Sequence, residues 1–417
     1  MKETYPQFSV EEAQSAVLER IRVLEAEETP ILDALGRVLA EDVYAEYDIP
    51  PHSNTAMDGY ALRAEDTRGA AAGSPVMLRV VHNLAAGYVS DRAVSQGTAI
   101  RIMTGAPLPP GADAVVPFER TEEDGDRVRV FEEQPVGANV RVAGEDVRNG
   151  ELVLARGAEL GPAEIGMLAA LGRPVVLAHR RPRVGILATG DEVVAIDAPL
   201  GPGQIRNANS YSNAAQVLRY GGIPVPLGIA RDNMEAIRDR LRGGLHENID
   251  LLLTSGGVSV GDFDIVKKVL AEEAEMHFWQ VRMRPGKPFA FGRIGDVPLL
   301  GLPGNPVSAM VSFELFGRPA LHRLMGKRHV PHPTVRAVLL DSLDKRKGFR
   351  YFVRVRLERL GRGYAARLTG EQGSGILLSM VRADGLAVIP EEYEHYRAGG
   401  TVDVLLLDCN VLAGGNA

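Results

Sequence analysis

The sequence predicts a multi-domain α/β protein built on a doubly wound, mostly parallel sheet. Between residues 182 and 326, apolar runs alternate with amphipathic segments. "RVGILATG", "IPVPLGIA", "IDLLLTSG" and "VPLLGLPG" read as strands. "SYSNAAQVLRYGG", "NMEAIRDRLRGGL", "DFDIVKKVLAEE" and "PVSAMVSFELFG" read as the helices that follow them. Strand–helix alternation at this spacing implies parallel strands joined by crossover helices, with both faces of the sheet covered. On either side of this region the pattern turns β-rich, with short strands and frequent turn signals.

In chain order, Ser9 and Glu12 stand in capping-box spacing, and Val10, Ala13, Val17 and Ile21 recur at helical period. This predicts a helix over residues 10–26. Residues 47–145 carry short β-rich runs such as "VMLRVV", "TAIRIM" and "RVRVF", broken by "DGD" and "PLPPGAD", and form a β-rich second domain. Residues 1–46 and 146–180, the latter with a helix around "PAEIGMLAALG", form one N-terminal or connector domain from two separated segments. Residues 181–328 are the α/β domain. Residues 329–417, with "FRYFVRVRLERL" and "TVDVLLL", form a β-barrel-like C-terminal domain.

Composition narrows the function classes. With 45% hydrophobic and 24% charged residues among 417, the chain is an ordinary globular protein. Its net charge of −7 argues against sequence-independent nucleic-acid binding. The single cysteine, Cys409, allows no intrachain disulfide and no cysteine zinc site. The start "MKETYPQFSVEEAQ" has no apolar leader region, and no run reaches the ~18 apolar residues of a membrane span. We expect a cytoplasmic protein with no membrane partner.

Ligands of open parallel sheets bind beyond the carboxyl ends of the strands. Four loops share that rim: "ATGDE", "ARDN", "TSGGVSVGDFD" and "LPGNP". They carry Asp191, Glu192, Asp232, Asp262 and Asp264. Carboxylates gathered on one rim repel unless a cation sits among them, and hard oxygen ligands suit Mg²⁺ bridged to a phosphate. The glycine loop would then bring backbone N–H groups to the phosphate, with Ser255, Gly256, Gly257 and Ser259 as candidates on that loop, and Pro303 and Pro306 on the next. Each acid alone has a plainer reading. Asp262 or Asp264 could cap the following helix, Asp232 could cap its own, and Glu192 could be a solvated loop acid. Convergence on one rim is what favours the metal site.

A second constellation is basic. "QVRMRPGKPFAFG" places Arg282, Arg284 and Lys287 around a Pro-Gly turn; on a strand, Arg282 and Arg284 share a side. The turn suits an oxyanion, or else it is a basic surface hairpin. In "FRYFVRVRLE", alternation puts Phe352, Arg354 and Arg356 on one face, where a surface arginine is the default. "SNTAMDGYAL" holds Asp58 before a glycine, and "RIMTGAPLPPGAD" holds Thr104 in a tight loop; a turn aspartate is the plainer reading of Asp58.

Together "SNTAMDGYAL", "RIMTGAPLPPGADAVV", "GILATGDEVV", "TSGGVSVGDFD", "RPGKPFAFG" and "LPGNPVSAMVSFELF" resemble the molybdopterin molybdenumtransferases, the family of MoeA proteins and the gephyrin E domain. The resemblance covers nearly the whole chain. It implies an elongated homodimer that inserts molybdate into adenylylated molybdopterin and releases AMP, with Mg²⁺ required. By motif match, Glu192, Asp232 and Asp264 correspond to the family's functional acids. Asp58 and Thr104 correspond to second-domain positions that reach the partner subunit's cleft, and Arg141 and Asp146 to a further acidic–basic pair. Arg284, Lys287 and Pro288 match the oxyanion turn; Ser308, Arg354 and Ser374 are similar to residues that complete the molybdate pocket. Partners implied are a molybdopterin adenylyltransferase and molybdoenzymes. Two departures stand out: Arg284 replaces a common lysine, changing a point donor into a planar fork, and Gln280 replaces a lysine found in some members. Two alternatives are an adenylyltransferase, which shares the α/β domain, and a non-catalytic scaffold.

Overall fold

A computed structural model describes residues 7–256, 265–328 and 331–408. The chain divides into two compact units: residues 1–40, 159–161 and 176–417, and residues 41–158 and 162–175.

The first unit is organised by a six-stranded sheet. Ile223–Ala230, Arg183–Thr189, Leu251–Ser255 and Val297–Leu302 lie parallel in that order, and Pro288–Ile294 and Glu275–Gln280 continue the sheet antiparallel. Alternate residues of each strand serve opposite cores. Ile186, Leu251, Leu253 and Leu300 pack with Val17, Val217, Phe313 and Leu321 on one face. Leu187, Leu252 and Leu299 pack with Ile237, Leu241, Val269 and Leu270 on the other. Burial on both faces is why these strands read as continuous apolar runs.

The helices follow their predicted punctuation with one shortening. Ser9 and Glu12 form the capping box, but the first helix is Val10–Glu19 and ends at Arg20. The good helix formers beyond it are overridden by tertiary pairing. Ile21 is buried, the Leu24 amide donates to the Leu324 carbonyl, and Ala26–Pro30 pairs with Val175–His179. Asn207 and Asn233 cap Ala208–Arg219 and Met234–His246, and Pro306 opens Pro306–Ser312. That last helix passes through a π-helical segment, Phe313–Gly317, into Arg318–Leu324.

Five C-terminal strands close into a barrel: Arg350–Leu360, Gly363–Leu368, Thr334–Leu339, Thr401–Leu406 and Gly385–Ile389, the last pairing back to the first. Its interior holds Val353, Val355, Ala387 and Val404. Phe352, Met380 and Leu386 instead join the core beneath the α/β sheet. The strand is therefore buried on both sides over residues 352–355, and only Arg356 is exposed among the three residues expected to share a face. Arg354, whose default reading was a surface side chain, is 1% exposed. Period-2 alternation cannot reveal a barrel strand whose outer face is also covered.

In the second unit, Ala114–Pro117, Gly59–Leu62, Thr98–Ile102, Val76–Leu84, Arg127–Val130 and Thr121–Asp124 form a six-stranded sheet with apolar clusters on both faces. Val43–Tyr44 pairs with Leu152–Leu154, which joins the chain entering this sheet to the chain leaving it. Among the described residues, no helix is long and apolar enough to cross a membrane.

Glu314, in the π-helical segment, is 4% exposed and accepts from Gln216 Nε2 and Tyr220 Oη, each at 2.7 Å, and from His332 Nε2 at 3.3 Å. Burial pushes its carboxyl up, but the bonds from His332, Tyr220 and Gln216 outweigh that and hold it below its ordinary 4.5. Glu314→Ala should cost about 3 kcal/mol, read as a lower thermal midpoint, because three buried donors lose one acceptor. A depressed folded pKa contributes stability that is complete above the unfolded value and lost as pH falls. The wild-type advantage over Glu314→Gln should therefore shrink as a thermal-shift series passes below pH 4.5.

Candidate functional site

The carboxyl ends of the parallel strands, the basic turn and the barrel wall enclose a cleft of about 1170 Å³ in the first unit. Glu192, Asp232, Ser255, Gly256, Pro303 and Pro306 line it from the strand-end loops. Arg284, Lys287, Pro288, Ser308, Arg354 and Ser374 line it from the opposite side. Gly257, Ser259, Asp262 and Asp264 lie outside the described residues.

The strand-end side is acidic. The Asp232 amide donates to Asp191 Oδ1 at 3.2 Å, and Glu192 folds back over Gly190. Burial raises the Asp232 pKa and the charges of Asp191 and Glu192 raise it further, while a hydrogen bond from the Asp191 backbone amide to its carboxyl lowers it. Asp232 is not the cap of the helix that follows. Asn233 fills that position, its side chain accepting from the Ala236 amide. Like charges crowd here, no ion pair engages Asp191, Glu192 or Asp232 among the described residues, and carboxylate oxygens are the donors Mg²⁺ prefers. Among the described residues, no three acidic, histidine or cysteine side chains gather as a metal site, and the third candidate ligand, Asp264, is outside them.

The facing side is basic, and a short backbone pairing makes it so. Met283–Arg284 pairs in parallel with Arg350–Tyr351 at the start of the long barrel strand. The Pro-Gly turn is thereby fixed beside the strand that carries Arg354. Arg284 and Lys287 stand 5.3 and 5.9 Å from the centroid of the Phe349 ring, within cation–π range. Arg354 donates from Nε to Ser379 Oγ and from Nη2 to the Gly373 carbonyl, both at 3.0 Å. Burial alone pushes its pKa down to about 10, still charged at neutral pH. Among the described residues, no carboxylate pairs with Arg284, Lys287 or Arg354. Positive charge without a carboxylate partner, buried at Arg354 and open to the cleft at Arg284 and Lys287, is an arrangement that an oxyanion completes. Arg282 departs from the pair its spacing suggested: its Nη1 donates to the Gln7 carbonyl and its Nη2 faces Glu12, away from the cleft.

Ser374 reaches the cleft on a loop tied to the α/β domain. The Val307 amide donates to its carbonyl at 3.1 Å, and Asn305 Nδ2 donates to its Oγ at 3.0 Å. Asn209, Asn305 and Arg206 also line the cleft, and none was singled out from the sequence. The cluster "QIRNANS" before a helix was the available signal, since exposed polar residues at a strand-end loop favour binding. Gln280 lies on the edge strand and accepts from Gln7 through Oε1; it is not among the cleft-lining residues.

Asp58 and Thr104 belong to the second unit, where they meet. Asp58 Oδ1 accepts from both the amide and the hydroxyl of Thr104, each at 2.7 Å, which holds its carboxyl below the usual range. Asp58 thus accepts a specific two-donor contact across a sequence separation of 46 residues. Arg141 and Asp146 are both exposed, and no ion pair joins them among the described residues. Arg141 instead lies opposite Asn54 in a two-residue ladder.

Three family models match the chain in order: the MoeA N-terminal region (domain I and II) over residues 8–172, a probable molybdopterin binding domain over 185–323, and the MoeA C-terminal region (domain IV) over 336–407. Molybdopterin molybdenumtransferase 2 of Mycobacterium tuberculosis is 39% identical over 405 residues, covering 95% of this chain and 98% of that protein. The chain belongs to the molybdopterin molybdenumtransferase family. The molybdopterin molybdenumtransferase of Nostoc sp. is 37% identical over 96% of this chain and 94% of its own length. A crystal structure of a molybdopterin biosynthesis MoeA protein from a Pyrococcus species matches with a TM-score of 0.83 at 33% identity, covering 97% of this chain and all of that one. Membership in this MoeA family accounts for the order of the six motifs and for the barrel after the α/β domain.

Gly286 tests the frame of the basic turn. Its φ is +103°, and a Cβ there would meet Met283 Cε at 2.2 Å and Ser312 Oγ at 2.7 Å. Gly286→Ala should destabilise the protein by about 2 kcal/mol in thermal or denaturant unfolding, because both the backbone conformation and the space exclude a methyl group. An unchanged midpoint would mean that the turn relaxes freely.

Proposed function

We propose that this protein transfers molybdate to adenylylated molybdopterin and releases AMP, acting in molybdenum cofactor biosynthesis. The observation that carries the proposal is the division of one cleft into an acidic strand-end side and a basic side whose cations have, among the described residues, no carboxylate partner, in a chain of this family. Molybdate is a tetrahedral dianion. Arg284, Lys287 and Arg354 would bind it by charge-assisted hydrogen bonds, joined by the Ser308 and Ser374 hydroxyls. The glycine loop and its serines would hold the substrate's phosphates. Glu192, Asp232 and Asp264 would hold Mg²⁺, which when bound offsets phosphate charge as AMP departs. Fixed charges and positioning supply the catalysis, with no nucleophile required from the protein. We further propose a cytoplasmic homodimer that receives its substrate from a molybdopterin adenylyltransferase and passes the cofactor to molybdoenzymes. In that dimer, Asp58 and Thr104 would complete the partner subunit's cleft.

The direct experiment incubates the protein with adenylylated molybdopterin, Mg²⁺ and molybdate, and measures AMP release and bound molybdenum. Glu192→Ala and Asp264→Ala should abolish release across a Mg²⁺ titration. Arg354→Ala should raise the molybdate concentration for half-maximal insertion about ten- to a hundredfold, the loss of one charge-assisted contact. Consumption of ATP in place of the adenylylated pterin would reassign the protein as an adenylyltransferase.

A mixing experiment addresses the shared site. Heterodimers of an Asp58→Ala chain with a Glu192→Ala chain should recover part of the activity, since one of their two clefts would be intact. No recovery in purified heterodimers would mean that each site is built from one chain.

A further inference from the structure

We infer that Asn209 is a positioning residue that holds the Ser255 hydroxyl as a hydrogen-bond donor toward a phosphate oxygen in the cleft. This deepens the functional reading above and rests on it. Asn209 sits in the first turn of Ala208–Arg219, which Asn207 already caps, so helix initiation does not need its side chain. Its Nδ2 donates to the Gly304 carbonyl at 2.7 Å and to Ser255 Oγ at 3.0 Å.

The polarity of this contact follows from the chemistry of its partners. A backbone carbonyl only accepts, so Gly304 fixes which end of the Asn209 amide faces the loops. The second hydrogen of the same NH₂ group then meets Ser255 Oγ. A serine oxygen that accepts there keeps its own proton to give. Among the described residues, no acceptor takes that proton. Ser255 is 4% exposed and lines the cleft, directly before Gly256. A buried hydroxyl committed as a donor suits an anionic oxygen and disfavours a ligand N–H. One asparagine thus ties a helix start to the ends of two parallel strands and sets the sense of a hydrogen bond between them.

The test is a double-mutant cycle of Asn209→Ala and Ser255→Ala, with Asn209→Asp added. AMP binding by calorimetry, KM and kcat for AMP release from the adenylylated pterin, and the thermal midpoint are measured for each. We expect each single alanine variant to weaken AMP binding and raise KM about tenfold, with a much smaller change in kcat. The double variant should be no worse than Ser255→Ala alone, because Asn209 acts through that hydroxyl. Asn209→Asp should be weaker still, since a carboxylate accepts the serine proton and repels the Gly304 carbonyl. Multiplication of the two alanine effects would overturn the inference. So would a lowered midpoint for Asn209→Ala with unchanged KM and AMP affinity, or a wild-type protein that does not bind AMP. If the wild type binds AMP but releases none from the pterin, the functional proposal fails, and the AMP-binding cycle still decides the role of Asn209.

Discussion

The cleft depends on one small piece of backbone pairing, the parallel ladder between Met283–Arg284 and Arg350–Tyr351. Arg284 and Lys287 belong to the α/β domain, Arg354 and Ser374 to the C-terminal region, and the ladder gives them a common frame. Other contacts reinforce it in different ways. Val307 and Asn305 hold the Ser374 loop by hydrogen bonds, and Phe352, Met380 and Leu386 share the apolar core under the α/β sheet. Fixed in this way, the cations need little reorganisation to meet an anion, which is how a preorganised site differs from the same charges in water.

Charge is segregated along the cleft, and the folded chain leaves both ends unbalanced. Asp232 feels Asp191 and Glu192, with its pKa raised by burial and by their charge. Arg354 is buried, with no acidic partner among the described residues. Elsewhere charged groups have partners of their own: the half-buried Arg180 forms a bidentate pair with Asp250, and the buried Glu314 has three donors. Carboxylates crowded at one end and, among the described residues, cations without carboxylate partners at the other mark that cavity as the place for charged ligands.

Features set locally were readable from the sequence. The Ser9–Glu12 box, the apolar strands and the crossover helices follow from capping and periodicity, and strand ends on a parallel sheet locate the rim. Features set by distant parts of the chain were not. The first helix stops early because residues 26–30 pair with residues 175–179. Arg354 looks like a surface residue by alternation, yet the barrel and the α/β domain bury both sides of its strand. Asp58 and Thr104 were recognisable by their motifs, but the two-donor contact between them belongs to the folded second unit. Asn209 has an identity typical of any helix start; only the positions of Gly304 and Ser255 give its amide a direction.

The barrel strand that carries Arg354 also has a mechanical consequence. An anion held by Arg284 and Arg354 at once would grip two domains that are also joined by a two-residue ladder, a loop, the Glu314–His332 bond and an apolar seam. Occupancy of the cleft and docking of the barrel then become linked equilibria. Each tenfold excess of ligand over its dissociation constant adds about 1.4 kcal/mol to the docked state, provided the undocked state binds none. Loading would accordingly be felt far from the charges, as slower amide exchange along the Gly385–Ile389 and Thr401–Leu406 strands, whose backbone hydrogen bonds open only when the barrel loosens.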